Sequence, residues 1–185
     1  GLISSGIVDP QVFAFSLGMV QEGANSIGRD LRNNYRKITM SNAIVLKPHE
    51  TLNDDRVIDQ VGAWTNTLLH FFYEIYELSG NEEMIPEYML GVWEEFYEFV
   101  NKMKTPKEKR YREIHNGHCT FLRPEERRFV TPEMIRGAVI AGTVDEVVEE
   151  IRAAEMAGLD EITLLPSLEH QRITMNECKE VLRKI

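Results

Sequence analysis

The chain has 185 residues, 43% of them hydrophobic, and carries 30 acidic against 21 basic residues, a formal net charge of −9. That length sets one domain as the default, and that charge leaves no basic footprint for DNA or RNA. No apolar stretch reaches the length of a membrane span, and no basic-then-apolar leader is present. The expectation is a cytoplasmic protein with neither nucleic acid nor a membrane as partner. Two cysteines, Cys119 and Cys178, stand far apart without metal-ligand spacing, which fits a reducing compartment better than a disulfide scaffold.

In chain order, the opening GLISSG is a short apolar run closed by two hydroxyls and a glycine. It predicts a strand over Leu2 to Ser4. A helix follows from about Gln11 to Asn25, with Phe13, Leu17, Val20 and Ala24 on one face. A basic turn leads into ITMSNAIVLK, which predicts one strand over Ile38 to Leu46.

The middle of the chain changes period. From Thr51 to about Leu78, Val57, Val61, Trp64, Leu68, Phe71, Ile75 and Leu78 recur in steps of three and four. Ile85, Met89, Val92, Phe96, Phe99 and Met103 repeat the rule after the turn SGNEE. This predicts an antiparallel helical hairpin over about 51–104. No Lys or Arg occurs from Val57 through Asn101, and the aromatics there exceed what one hairpin face buries. They serve as core packing, or they line a pocket or a subunit interface. The basic run Lys102 to Arg112 reads as a solvated connector, with a phosphate contact as the rival reading.

His115 and His118 follow in IHNGHC, where Gly117 favours a loop over a helix. Structural hydrogen bonding, a pocket role and metal ligation are the alternatives; for a metal the ligand set is incomplete. Val-Thr-Pro at 130–132 starts a helix, and Ala138 to Ala141 predicts a third strand, with Arg136 just before it. GTVDEVVEEIRAAEMAGLDEITLLP is the clearest βα grammar. Thr143 and Glu146 can form a capping box. Val147, Ile151 and Ala154 share a face, with Glu149, Glu150, Arg152 and Glu155 mostly opposite. Gly158 is the left-handed stop. Glu161 to Leu165 is the fourth strand, and Arg172 follows it in LEHQR.

Strands alternating with helices predict a parallel sheet in an α/β fold. Four such units are half of an eight-stranded barrel, which takes about 250 residues. A four-stranded parallel piece alone would leave two open edges. A self-contained flavodoxin-like sheet fits less well, because the hairpin falls between strands and no standard phosphate loop is present. The expectation is therefore that GLISSG begins mid-barrel.

Three stretches carry a resemblance to a family: GLISSGIVDPQVFAFSLGMVQEGANSIGRD, HNGHCTFLRPEERRFVTPEMIRGAVIAGTVDEVVEEI and AGLDEITLLP. In this order they resemble the second half of the luciferase-like flavin- or deazaflavin-dependent oxidoreductases. The resemblance implies a TIM (β/α)8 barrel of which residues 1–185 are the C-terminal half, with the hairpin as an insertion. It implies a monooxygenase or oxidoreductase acting on a small organic substrate with FMN or the deazaflavin coenzyme F-420. It places Ser4, Ser5, Gly6 and Ile7 at the cofactor, where hydroxyls and a close main chain suit a phosphate. A plain βα turn with a serine cap is the alternative. Arg136 and Arg172 become candidates for an anionic substrate group, with surface roles as the alternative. In that family the missing half usually supplies the catalytic acid or base, so no residue here is assigned the chemical step and the piece alone is expected to lack activity. The rival is a non-catalytic half-barrel that forms a homo-oligomer through its aromatic hairpin. A phosphosugar-type barrel without flavin is a third reading.

Overall fold

The computed structural model describes residues 1–5, 10–31 and 35–185. Among the described residues, five short strands, β1 (Leu2–Ser5), β2 (Lys37–Ser41), β3 (Ala43–Val45), β4 (Ile140–Gly142) and β5 (Glu161–Leu164), alternate with helices, except that β3 follows β2 directly. The helices are α1 (Pro10–Ser26), α2 (Asp55–Ser79), α3 (Leu90–Asn101), α4 (Tyr111–Ile114), α5 (Pro132–Ala138), α6 (Val144–Met156) and α7 (Gln171–Leu182). Every strand pair is parallel, as the alternation predicts. β1 and β5 flank β2, with Ser4 opposite Thr39 and Thr39 opposite Ile162. β3 pairs with β4, Ile44 opposite Ala141.

The single strand expected over Ile38 to Leu46 is two. Asn42 divides it, because its side-chain Oδ1 accepts the Ala43 N–H at 2.8 Å and takes that amide out of the ladder. The break redistributes the partners. A barrel succession would set the last strand beside β4, whereas β5 lies beside β2. The described strands form two small parallel sheets and no closed barrel. The expected strand from Ala138 also starts later. Thr131 caps α5 by accepting the Met134 N–H, Pro132 fits its first turn, and the helix runs through Ala138.

α2 is the spine. Its apolar face, Val57, Val61, Trp64, Leu68 and Leu69, packs with Met89, Val92, Phe96 and Val100 of the hairpin's second arm and with Phe129, Met134 and Ile135. The Trp64 indole N–H donates to the Ala138 carbonyl at 2.9 Å, fixing α2 against the end of α5. Phe96 is fully buried, so its burial contributes about 2–3 kcal/mol. The stripe drifts toward the C-terminal end of the helix: Phe71 and Leu78 face solvent, and Tyr73 is buried instead. Gly80 stops α2 at φ 63°, its N–H donating to the Tyr76 carbonyl. The second arm is shorter than expected, because Pro86 sits between two 3₁₀ turns, Glu82–Met84 and Glu87–Met89, before α3 begins.

A second core joins the sheets to the outer helices. Phe13 of α1, Ala43, Val45 and Ile140 of the strands, Val147, Val148 and Ala154 of α6, and Val181 of α7 are buried together. The α6 capping box is present in both directions, and Gly158 has φ 98° as the sequence requires. No helix among the described residues is long and apolar enough to cross a membrane. Both cysteines are free thiols.

Candidate functional site

A cavity of about 1150 Å³ opens where β1 ends, against the middle of α2, the end of α5 and the inner side of α6. Its volume is at the upper end of small-molecule sites, roughly 300–1,000 Å³. β1 brings Ser4 and Ser5 to it. The drifting face of α2 brings Thr67, Phe71, Phe72 and Glu74. The loop after α4 supplies His115 and His118, and the last turn of α5 supplies Arg136. Five of the residues singled out in the sequence therefore line one space. Gly6 and Ile7 lie outside the described residues. Arg172 is not brought in; it is exposed in the first turn of α7 and lies outside the cavity lining.

The cavity meets the carboxyl end of β1 but the approach to β4, through Ala138 and Val139. A barrel site would gather the carboxyl ends of all strands. A smaller cavity of about 680 Å³ does sit at the carboxyl ends of β3 and β4. Its lining sets Lys47 and His49 among four carboxylates, Glu50, Asp145, Glu177 and Glu180, an acidic setting for a phosphate, and two of these, Glu50 and Glu177, pair with Arg56.

Serine chemistry differs at the two positions. The Ser4 hydroxyl donates to the Ile38 carbonyl at 3.4 Å, a bond within the sheet. Ser5 is exposed at the end of the strand. Arg136 is also exposed and faces the carboxylates Glu133 and Glu146, whose proton affinities it helps to lower.

The histidine loop is tight because Gly117 takes φ 88° and Cys119 φ 58°. The turn stacks the rings of His115 and His118 at 4.6 Å, with an 18° interplanar angle. A third ring, His70 of α2, lies 5.9 Å and 5.8 Å from them. His115 Nε2 meets Glu74 Oε1 at 2.9 Å. His118 is held below the ordinary imidazole range, first by burial and then by the neighbouring His115 and His70. It therefore presents a neutral ring at pH 7. Behind the loop, the buried Glu126 accepts from Arg123 Nη2 at 2.6 Å and lies 3.2 Å from His70 Nε2. Burial raises the affinity of Glu126 for a proton, but the hydrogen bonds from His70 and Arg123 outweigh it, and the carboxyl stays below its usual range. A carboxylate at Nε2 fixes the Nε2–H tautomer of His70. Among the described residues, no group of three or more His, Cys, Asp or Glu has metal-holding geometry. Cys119 Sγ instead contacts Thr67 Oγ1 at 3.4 Å.

Tyr88 belongs to the hairpin aromatics that the sequence offered as pocket lining, whereas Glu74 and Glu150 were not candidates for the site. Tyr88 lies against Gly137, whose missing Cβ makes room for the phenol ring, and burial pushes its hydroxyl up to about 12. Glu74 looked like one of many surface acids on the hairpin. Glu150 was expected on the outer face of α6; that placement is corrected, because it is part-buried and lines the cavity. His70 had no motif around it, and only its position facing the histidine loop reveals it. The aromatic question resolves by residue: Tyr73 and Phe96 are core, whereas Phe71, Phe72 and Tyr88 line the cavity.

No protein-family model matches the chain, and neither a curated protein nor a solved structure matches it significantly.

Proposed function

We propose that the large cavity binds a flavin-type cofactor, FMN or the deazaflavin coenzyme F-420, with a small organic substrate, as part of an oxidoreductase or monooxygenase of the luciferase-like type. In this reading residues 1–185 are the C-terminal half of a TIM barrel. One observation carries it: Ser4, Ser5, His115, His118 and Arg136, separated by more than a hundred residues of sequence, line a single cavity of about 1150 Å³. The lining suits the group. The rings of Phe71, Phe72 and Tyr88 offer planar apolar contact, the neutral His118 ring adds a polar face, and Arg136 is a cation at the rim for an anionic tail. When bound, the cofactor would supply the redox chemistry; the chain would bind, orient and shield it from water. Titration of the protein with riboflavin, FMN and F-420, followed by absorbance and fluorescence, tests the reading. Saturable binding weakened by Phe72→Ala supports it, and no binding by any of the three rejects it.

A second reading, a non-catalytic self-associating module, has its own observation. Among the hairpin's aromatics only Phe71 is exposed, although Leu78, Met84 and Leu90 there also face solvent. β1 and α1 carry several of the other exposed apolar groups: Ile3 is 65% exposed, Phe15 71% and Met19 60%. β1 is also an edge strand. Light scattering tests it: a concentration-dependent dimer abolished by Phe15→Lys supports association, and a monomer at all concentrations rejects it.

A further inference from the structure

Glu150 turns to the inner side of α6, where the Ala141 backbone amide meets its carboxyl. Glu149 and Glu155 of the same helix are exposed, as the amphipathic pattern dictates. Glu150 instead lines the cavity beside Ala153. Two influences act on its proton: burial, which raises its affinity, and the Ala141 backbone amide, which lowers it. Arg136 shares the cavity but acts on Glu133 and Glu146. Burying a carboxylate without a counter-charge is costly, and a leucine or methionine there would serve the fold better. A group held against its own solvation, in a cavity, marks a functional position. Burial pushes this carboxyl up to about 7, so near neutrality it spends much of its time as an O–H donor.

What such a donor meets follows from the rest of the lining. Phe71, Phe72 and Tyr88 present rings, and His118 is a neutral imidazole. Phe71 and Phe72 stand edge to face, 5.2 Å apart at 79°, so a planar molecule would lie on one of these rings, and a carboxylic acid beside it calls for an acceptor on that molecule's edge. We propose that Glu150 is a ligand-contacting residue, donating a hydrogen bond from its carboxyl O–H to a carbonyl oxygen or ring nitrogen of a planar heterocycle seated against Phe71, Phe72 and Tyr88. This inference rests on the flavin-type reading of the cavity and adds to it the edge of the ring that α6 recognises.

Riboflavin, which lacks a phosphate, is the probe. Its binding is followed by fluorescence quenching from pH 5.5 to 8.5 on the wild-type chain, Glu150→Gln and Glu150→Ala, with circular dichroism to check that each is folded. Wild-type affinity is expected to fall about tenfold per pH unit above neutrality, because the donor form is titrated away. Glu150→Gln keeps a neutral N–H donor, so its profile is expected to be flat and near the wild-type acid limit. Glu150→Ala is expected to bind weakly at every pH. Wild type and Glu150→Gln sharing one pH profile would overturn the inference while leaving the flavin-type reading intact. Riboflavin binding to none of the proteins at any pH would remove that reading and this inference together.

Discussion

Glu126 is a buried acid on which the Arg123 guanidinium and the His70 ring converge, so its replacement has a calculable consequence. The residue is 2% exposed, Arg123 5% and His70 2%. Glu126→Gln keeps the shape and one acceptor oxygen but removes the charge facing the guanidinium. Arg123 keeps the Glu113 carbonyl at 3.0 Å, the more distant Glu125 carboxylate at 3.7 Å and the Phe99 ring at 5.9 Å. Removing one member of a buried pair costs about 3–5 kcal/mol, which for a chain of this size lowers Tm by about 6–20 °C. The assay is urea denaturation by far-UV circular dichroism at pH 7, with calorimetry for Tm. The double variant Arg123→Met/Glu126→Leu removes both charges, and it is expected to lose less than the single one. The pH dependence gives a second check. The folded carboxyl lies below its ordinary value, so its contribution is present above that ordinary value, about 4.3, and is lost as pH falls through the folded one. Wild type and Glu126→Gln should therefore converge in acid. A loss under about 1 kcal/mol at pH 7, or a double variant worse than the single, would refute the view of Glu126 as the buried counter-charge of Arg123.

Gly137→Ala would set a Cβ into the Tyr88 ring. Overpacking of about 1–3 kcal/mol should exceed the helix-propensity gain of up to about 1 kcal/mol, giving a lower Tm with a changed near-UV spectrum; a raised Tm would show that the ring moves freely. Thr143→Ala removes the hydroxyl that accepts the Glu146 N–H and leaves the reciprocal bond from the residue-143 N–H to the Glu146 carboxylate, with an expected loss of about 1 kcal/mol in urea denaturation. His118 has a folded proton affinity below its ordinary value, so the unfolded chain takes the proton first. Stability from this ring is complete above about pH 6.5 and declines as pH falls from there toward the folded value. His118→Phe should flatten that limb of the stability–pH curve.

The helices were legible because their signals are local. Thr143, Glu146 and Gly158 specify α6 with no help from the rest of the chain, and the stripe from Val57 to Leu68 specifies the first half of α2. The strands were legible as runs but not as partners. Asn42 reads as a polar residue within an apolar stretch; that its side chain captures the next amide, splits the strand and frees β2 to pair with β5 is a tertiary outcome. The site was half legible for the same reason. Ser4, Ser5, His115 and His118 stand out by type and spacing. His70 and Glu150 are ordinary residues of helical patterns until packing decides which way each face turns. Period alone placed Glu150 outward, and the cavity between α5 and α6 reverses it.

Glu150 and His118 hold opposite positions on one pH axis. The folded Glu150 carboxyl lies above its ordinary value, at about 7, so its contribution is complete in acid and is lost as pH rises through neutrality. His118 behaves the other way, contributing above about pH 6.5 and less below it. Close to pH 6.5–7 the His118 ring is therefore neutral and Glu150 is divided between its acid and its carboxylate, and each moves further toward an uncompensated charge if pH shifts in its own direction. Both line the same cavity. A fold selected only for stability has simpler choices at both positions, an apolar residue at 150 and an aromatic one at 118. A carboxyl that is partly an O–H donor and an imidazole whose buried Nδ1 has no hydrogen-bond partner, both in one wall, form a surface suited to the edge and face of an uncharged ring system. That pairing, more than the resemblance of any single motif, is the physical reason to look for a heterocycle there.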